Sequence, residues 1–489
     1  MDAVIAFLTD LGFYVAAALT LALAVVASGH AILYKRDSRA AVAWVGLIWL
    51  APVAGAVLYA LLGVNRIRRR ATGIRSQSPR LSGTYAVTLA ADRMLEAVLD
   101  PAHRHLLPLG QMVDRLTRRP LTRGNAVVPL VNGEEAYPAM LDAIARAERS
   151  LALSSYIFDR DEVGLRFGDA LAAAVRRGVA VRVLIDGVGV RYSWPPIVPW
   201  LEAHGVPTAR FMPTIAPWRA PFWNLRNHRK LLVADGAVGF TGGMNIRSPH
   251  VVSRAPRRAV QDLHFRVEGP VVRHLMDTFA EDWSFATRER LDGPVWYPES
   301  NGAAASGSVA ARGIIDGPDE DFEKIRWAIL GAVASARQSI RIITPYFLPD
   351  SGIITALSVA ALRGVAVEIV LPGTNNLPFV HWAMMATLWQ VVKADCQVYL
   401  QPPPFDHTKL MVVDGVWARF GSSNWDARSL RLNFEFDVEC YDPALGTELE
   451  ALFARKRDAA RLLTAEQLDG RSLPVRLRDG AARLASPYL

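Results

Sequence analysis

Two copies of one short motif hold the residues in this sequence that are best suited to chemistry. The first copy contains His228, Lys230, Asp235 and Asn245. The second copy, at the same spacing, contains His407, Lys409, Asp414 and Asn424. Both read H-x-K-x4-D-x6-G-[GS]-x-N. A single short motif matches by chance about as often as not, but two copies in one register argue against coincidence.

The residue types suit reactions at a phosphate diester. Histidine and lysine two positions apart on an extended chain point to one face, so each copy presents an imidazole beside an ammonium group. One imidazole can attack phosphorus and form a covalent intermediate. The other can protonate the leaving alcohol and then deprotonate the incoming one. Lysine and amide donors can stabilise the charge on the phosphate oxygens, and we expect no metal and no cofactor.

A strand, a turn and a second strand must position these groups. The apolar residues after each lysine predict a buried strand that includes the H-x-K residues. Asp235-Gly236 and Asp414-Gly415 are turn signals, so we expect both aspartates to shape the turn and the local charge. The returning strands end at Gly242-Gly243 and Gly421-Ser422, where small residues would let backbone N–H groups approach a ligand.

The rest of the chain repeats on the same plan. Residues 177–185, RGVAVRVLI, resemble residues 363–371, RGVAVEIVL, and each stretch precedes one motif. Alternating helices and apolar strands predict an α/β sandwich with parallel or mixed sheets, and two such halves would share one active site at their interface. The predicted domains are a two-helix membrane anchor at 1–70, a connector at 71–120, a first half at 121–300 and a second half at 313–489, with a linker at 301–312.

Two apolar runs, residues 13–34 and 40–64, predict the anchor. Each is long enough to cross about 30 Å of hydrocarbon as a helix, with Pro52 expected to kink the second. A re-entrant hairpin is the main alternative. Basic residues in the connector between the helices and after the second helix favour, by a narrow margin, a cytoplasmic catalytic part. We therefore expect a multi-pass membrane protein.

Composition agrees with a folded protein that meets anionic partners. Hydrophobic residues make up 51% of the chain, and the net charge is +8. A basic balance suits nucleic acid, an anionic membrane or an anionic substrate, and the apolar hairpin favours membrane lipid over nucleic acid. The two cysteines, Cys396 and Cys440, lie in apolar contexts and are expected to be buried free thiols.

Four further segments each allow two interpretations. Residues 84–99 have helical apolar spacing, which fits a helix on the membrane or one packed on the core. The Trp- and Pro-rich stretch 192–226 reads as a loop that is either an aromatic membrane contact or a hydrophobic lid. Residues 377–392 are either a lipid-facing wall or a core helix. The C-terminal residues 473–489 are either a weak interfacial helix or a frayed tail.

With these motifs the chain resembles the phospholipase D superfamily, and within it the bacterial cardiolipin synthases. The family resemblance extends to Asn132-Gly133-Glu134-Glu135, Tyr156-Ile157-Phe158, Phe279-Ala280-Glu281-Asp282-Trp283 and Pro345-Tyr346-Phe347. It implies that Glu435 is the hydrogen-bond partner of one catalytic histidine. Asp262 occupies the corresponding place in the first half, where a carboxylate would fix the tautomer of a histidine.

The resemblance also implies a reaction. Two phosphatidylglycerol molecules would give cardiolipin and glycerol through a phosphatidyl-histidine intermediate on His228, with His407 as acid and base. The two histidines could exchange these roles, because the halves are pseudo-symmetric. Lys230, Lys409, Asn245 and Asn424 would hold phosphate oxygens, with Ser422 assisting. The alternative is a phospholipase D-type hydrolase, in which water replaces the second lipid.

Overall fold

A computed structural model describes residues 2–35, 38–63, 95–213, 225–254, 258–298, 307–318 and 321–486. These residues form two compact units, the N-terminal helices and the remainder of the chain. Several predictions fall outside the described residues. They concern the basic residues at 36 and 66–70, the helix at 84–94, Trp218 and Trp223, and the linker at 301–306.

The N-terminal unit contains one helix of membrane length instead of the two predicted. Helix α1 spans Asp2–Tyr34, and its segment Leu11–Tyr34 is long and apolar enough to cross a membrane. The second run is divided into α2, Ser38–Leu50, and α3, Pro52–Leu58, followed by one π-helical turn. The proline explains the division, because it lacks the N–H that would continue the helical hydrogen bonds.

The three helices pack on each other through a small apolar cluster of Ala24, Ala31, Ile48 and Tyr59. The Tyr59 hydroxyl also lies 2.8 Å from Nδ1 of His30. A side chain at Gly55 would come within 2.5 Å of the Leu47 carbonyl oxygen, so a glycine is required where α3 folds back towards α2. Much of the apolar surface of α1 is exposed, as expected of a helix that meets lipid.

The first half of the larger unit, together with the helix α4 that precedes it, contains eight strands and five helices among the described residues. The strands are β1 Thr122–Val131, β2 Ser150–Ser155, β3 Ala180–Asp186, β4 Thr208–Phe211, β5 Leu231–Ala234, β6 Val238–Gly242, β7 Val260–Gln261 and β8 Leu263–Glu268. The helices are α4 Leu107–Thr117, α5 Asn132–Arg146, α6 Glu162–Arg176, α7 Val198–Ala203 and α8 Val272–Thr287.

The second half repeats this arrangement. Its strands are β9 Val309–Asp316, β10 Ser339–Ile343, β11 Ala366–Pro372, β12 Gln397–Gln401, β13 Phe405–Asp406, β14 Leu410–Val413, β15 Trp417–Gly421, β16 Glu435–Tyr441 and β17 Arg461–Leu463. Its helices are α9 Lys324–Ser335, α10 Ser351–Leu362, α11 Pro378–Met385, α12 Trp389–Val392, α13 Pro443–Asp458, α14 Ala465–Asp469 and α15 Leu473–Leu484.

One mixed sheet runs through both halves, in the order β17-β12-β11-β10-β14-β15-β16-β9-β1-β8-β6-β5-β2-β3-β4. Outward from the central β9–β1 pair, each half has first antiparallel pairs and then the parallel strands β2-β3-β4 or β10-β11-β12. The second half adds one edge strand, β17, which pairs antiparallel with β12. The predicted fold class, two homologous α/β halves, is confirmed.

Helices pack on the sheet through apolar faces at helical spacing. Ala136, Met140 and Ile144 recur every four residues on α5 and are all buried. Two helices that precede a parallel crossover strand begin with an aspartate cap. Asp161 accepts the Gly164 N–H at α6, and Asp350 accepts the N–H groups of Gly352 and Ile353 at α10.

Several segments differ from the prediction. Strand β9 begins at Val309, inside the predicted linker. The predicted loop at 192–226 contains α7 and β4, and Trp194 in it is 94% exposed, whereas Trp200 stacks on His204. The 377–392 run forms α11 and α12, which bury one face and expose the other, and the C-terminal segment forms α15. Both cysteines are buried free thiols, as predicted.

The predicted connector belongs, from Leu95 onward, to the core of the second half. Leu95 and Leu99 are buried in that core, and α4 packs against α9. Arg312 in the central strand β9 secures this packing. Its guanidinium group is fully buried, and it pairs with Glu439 of β16 and with Asp114 of α4.

We expect Arg312→Leu to lower the free energy of unfolding by about 3–5 kcal/mol, because it leaves buried carboxylates without their partner. Arg254→Leu is the matched control, since its pair with Glu162 is exposed and should change stability by less than about 1 kcal/mol. Chemical denaturation of the purified protein measures both changes. Equal losses in the two variants would contradict the assigned role of Arg312.

Candidate active site

The first motif enters the site on an extended segment and not on a strand of the main sheet. Strand β5 begins only at Leu231, so the predicted strand starts later than expected. Asn227 and Arg229 turn to one side, where both bind Asp282, at 2.9 and 2.6 Å. His228 and Lys230 therefore share the opposite face, as their spacing predicted.

Backbone pairing between the halves holds each histidine. Asn227 forms a parallel bridge with Phe434, and the His228 N–H donates to the Phe434 carbonyl at 2.9 Å. In the second half, β13 pairs in parallel with β7, and the His407 N–H donates to the Gln261 carbonyl at 2.8 Å. Each catalytic segment is thus attached to the half that does not contain it.

The two predicted carboxylates follow the same crossed pattern. Nδ1 of His228 lies 3.0 Å from Oε2 of Glu435, and Nδ1 of His407 lies 2.9 Å from Oδ2 of Asp262. Both carboxylates are fully buried. When the carboxylate is ionised it only accepts hydrogen bonds, so Nδ1 donates to it and Nε2 of each ring keeps its lone pair for chemistry.

One motif position is glycine in the first copy, Gly243, and serine in the second, Ser422. The neighbouring carboxylates explain this difference. The Ser422 hydroxyl donates to Oε2 of Glu435 at 2.5 Å and accepts the Phe436 N–H. At the matching position, a side chain on Gly243 would come within 2.4 Å of the Asp262 carboxylate. The structure therefore places Ser422 in the support of Glu435 and not among groups that face a phosphate. The motif glycines Gly242, Gly243 and Gly421 accommodate neighbouring protein atoms instead of a ligand.

The two lysines are almost completely buried beside the histidines. Nζ of Lys230 donates to the carbonyl of His228 at 2.6 Å, and Nζ of Lys409 donates to that of His407 at 2.5 Å. The Lys230 ammonium also lies 5.4 Å from the ring centre of Tyr156, a favourable contact with its π face. These bonds fix each ammonium group near its imidazole.

A cavity of about 390 Å³ joins the two half-sites and contains both histidines and both asparagines on its walls. Oδ1 of Asn245 accepts the Ile157 N–H at 3.0 Å, which orients the amide and leaves its NH₂ group as a donor. Further lining residues come from both halves. They include Tyr156, Tyr192, Arg226, Arg247, His250, Tyr346, Leu377, Val380, Phe405, Asp426 and Arg428.

The motif aspartates lie at the far end of β5 and β14 from the histidines. Both adopt a positive φ, at 54° for Asp235 and 52° for Asp414. Their carboxylates accept backbone N–H groups, from residues 148–150 for Asp235 and from residues 337–339 for Asp414. Asp414 also contacts Nε2 of His105 at 2.6 Å. This arrangement fits the expected turn-shaping role.

Burial shifts the pKa of every titratable group at the centre of the site. It lowers the pKa of Lys230 to about 7 and that of Lys409 to about 8. It raises the pKa of Glu435 to about 7 and that of Asp262 to about 6.

Both histidines have a pKa well below the ordinary value, first because of burial and then because of the adjacent lysine. The rings are therefore neutral in the absence of a ligand. An anion placed between the lysines would favour the charged forms of lysine and histidine. The site is thus built for a negatively charged group.

Sequence reasoning missed several cavity residues. Arg226 precedes His228 by two positions, so the alternation of an extended chain could have identified it. His250, Asp426 and Arg428 follow the motif glycines in irregular backbone, where no periodic signal indicates their direction. Among the described residues, no group of three or more His, Cys, Asp or Glu is arranged to hold a metal ion.

The raised pKa of Glu435 predicts a specific dependence of stability on pH. The folded protein binds this proton more tightly than the unfolded chain, so a stabilising contribution present below about pH 4.5 is lost as the pH rises through about 7. The loss amounts to about 3 kcal/mol, since one pKa unit corresponds to about 1.4 kcal/mol. Denaturation between pH 4.5 and 8 should show a flatter profile for Glu435→Gln. The exposed Glu162→Gln serves as control, and parallel curves for Glu435→Gln and the parent protein would contradict the raised pKa.

Comparison with known proteins gives a consistent result. A family model described as cardiolipin synthase, PLD-like domain, matches residues 140–283 and 329–457, one segment in each half. A phospholipase D-nuclease N-terminal model matches residues 22–63. The crystal structure of phosphatidylserine synthase from Haemophilus influenzae has a TM-score of 0.60 at 15% identity, covering 78% of this chain and 99% of that one, which shows a shared fold.

Relatives match over almost the whole length. The cardiolipin synthase of Geobacillus kaustophilus is 31% identical over 463 residues, which cover 94% of this chain and 90% of the relative. The major cardiolipin synthase of Bacillus subtilis is 29% identical over 469 residues, which cover 93% of this chain and 95% of the relative. The chain therefore belongs to the cardiolipin synthase family of phospholipase D-like enzymes, as its paired motifs predicted.

Proposed function

We propose that this enzyme transfers the phosphatidyl group of one phosphatidylglycerol to a second phosphatidylglycerol, which yields cardiolipin and glycerol. The observation that carries the proposal is the pair of histidines on the walls of one cavity, each oriented through Nδ1 by a carboxylate of the other half. The family relatives support the same substrate class, and the predicted phosphatidyltransferase activity is confirmed at the level of the family.

In the first step, Nε2 of His228 attacks phosphorus. A phosphorus–nitrogen bond forms, and the bond from phosphorus to the glycerol oxygen breaks. The charge of the bound phosphate diester favours the protonated form of His407, which donates its Nε2 proton to that oxygen, so glycerol leaves as a neutral alcohol. The Glu435 carboxylate beside Nδ1 stabilises the positive charge that develops on the His228 ring.

In the second step, His407 accepts the proton from the free hydroxyl of the second phosphatidylglycerol. That oxygen attacks phosphorus, the bond to His228 breaks, and cardiolipin is released. Lys230 and Lys409, with the NH₂ groups of Asn245 and Asn424, hold the equatorial oxygens in both steps. Asp262 orients His407 both when it donates a proton in the first step and when it accepts one in the second. Ser422 acts through Glu435, and Asp235 and Asp414 hold the strand ends.

The membrane explains why a lipid acts as the acceptor. Helix α1 has the length and composition of a membrane-spanning segment, so we propose that it keeps the catalytic unit at an anionic bacterial inner membrane, on the cytoplasmic side, with α2 and α3 completing a multi-pass anchor. Phosphatidylglycerol is then present at high local concentration. Water is the competing acceptor, and its use would make the enzyme a phospholipase D-type hydrolase.

The first test uses detergent-purified enzyme with phosphatidylglycerol as the sole phospholipid. We expect cardiolipin and glycerol in equal amounts, and a loss of at least about a thousandfold in His228→Ala and His407→Ala. His204→Ala is the matched control, because this exposed histidine stacks on Trp200 outside the cavity. Phosphatidic acid in place of cardiolipin would overturn the transferase proposal in favour of the hydrolase.

The shifted pKa values predict a bell-shaped pH profile of kcat/KM. Activity should fall on the acid side as Asp262 and Glu435 become protonated, at about 6 and 7. It should fall on the alkaline side as Lys230 and Lys409 lose their protons, at about 7 and 8. The coupled groups titrate together, so each limb reports the cluster. An alkaline limb near 10, the ordinary range of lysine, would contradict the assignment.

A further inference from the structure

The two walls of the cavity differ in charge, although the halves are homologous. On the extended segment of the first half, Arg226, His228 and Lys230 fall on one face. The matching positions of the second half are Phe405, His407 and Lys409. Both Arg226 and Phe405 line the cavity. The wall beside His228 therefore carries an extra guanidinium group where the other wall carries a phenyl ring.

A second arginine reaches the same wall from the other half. Arg428 lines the cavity, and its counterpart in the first half is Pro249. The backbone holds the two arginines together. The Phe434 N–H donates to the Arg226 carbonyl at 2.8 Å, and the adjacent Asn433 N–H donates to the Arg428 carbonyl at 2.9 Å. The positive charge of Arg226 also lowers the pKa of Arg428, after burial, so the two guanidinium groups lie close enough to repel.

Two carboxylates, those of Asp426 and Asp186, lie near this pair. Asp426 lines the cavity, and its Oδ1 accepts the Ser429 N–H at 2.7 Å. Asp186 is buried behind the wall, and its oxygens accept the N–H groups of Val188, Gly189 and Asn227. Arg226 and Arg428 thus bring two guanidinium groups to a cavity whose lining, among the described residues, contains one carboxylate, that of Asp426. Such a wall suits an anionic group such as a phosphate diester.

We propose that Arg226 and Arg428 form a second phosphate site, which binds the phosphate of the acceptor phosphatidylglycerol. This proposal rests on the proposed function. The reacting phosphate already has the two motif lysines and the two motif asparagines as donors. The acceptor brings a second phosphate, separated from the attacking hydroxyl by the three carbons of its glycerol headgroup. Guanidinium groups suit such an oxyanion because they donate paired hydrogen bonds.

The site would select the acceptor and not the donor. An acceptor held by its phosphate presents its hydroxyl to the phosphatidyl-histidine intermediate at high effective concentration. Alcohols without a phosphate, and water, gain nothing from the arginines. Removal of the pair should therefore change which acceptor is used, while the first step of the reaction continues.

A competition assay tests this site. Enzyme in mixed micelles of phosphatidylglycerol and detergent receives 1-butanol, a primary alcohol without a phosphate, and the ratio of cardiolipin to phosphatidylbutanol is measured. For Arg226→Gln, Arg428→Gln and the double variant, we expect that ratio to fall at least about tenfold, while total consumption of phosphatidylglycerol stays within about threefold. Arg428→Lys should recover part of the ratio, because it keeps the charge but not the paired donors.

Arg247→Gln is the matched control. Arg247 lines the same cavity, but its Nε already pairs with Asp159 at 2.9 Å, so the ratio should stay unchanged. A uniform loss of both products in the Arg226 and Arg428 variants, with the ratio preserved, would overturn the second phosphate site. If the unmutated enzyme makes phosphatidic acid and no cardiolipin, the proposed function itself fails, which is a separate outcome.

Discussion

The exchange of carboxylates between the two halves is the interaction on which the site depends. Glu435 of the second half orients His228 of the first, and Asp262 of the first half orients His407 of the second. Neither half contains a complete histidine–carboxylate pair by itself. The crossed backbone bridges at Asn227–Phe434 and at β7–β13 hold these pairs in register. The central β1–β9 pair joins the two halves into one sheet, so the geometry of the site depends on the packing between the halves.

The same burial that orients these groups makes the empty site electrostatically costly. Two lysines, two histidines and two carboxylates are buried side by side, and burial disfavours the charged form of every one of them. A phosphate diester reverses this situation for the lysines and the histidines, because it supplies an opposite charge at close range. Part of the folding free energy is thus given up to maintain a preorganised anion site, a common relation between stability and function.

Much of this could be predicted from the sequence, because the signals are local. The spacing within each motif placed histidine and lysine on one face, and the internal repeat predicted two α/β halves. The crossing of the carboxylates is not a local property, since Glu435 and His228 are 207 positions apart and Asp262 and His407 are 145 apart. Ser422 was assigned to phosphate because its contact with Glu435 depends on that crossing. The second apolar run was predicted to form one helix with a kink at Pro52, whereas in the structure Pro52 divides it into two helices.

A symmetric site faces a particular difficulty in this reaction. The leaving group is glycerol and the attacking group is the glycerol headgroup of another lipid, so the hydroxyl chemistry of the two steps is nearly the same. In the proposed mechanism His407 serves as acid in one direction and as base in the other, and neither role distinguishes the acceptor from the product just released. What distinguishes them is the phosphate that the acceptor carries and free glycerol lacks. The halves diverge at two matched positions. Arg226 of the first half corresponds to Phe405 of the second, and Arg428 of the second half corresponds to Pro249 of the first. A duplicated fold thus supplies the shared chemistry, and its few unmatched residues lie where the two substrates differ.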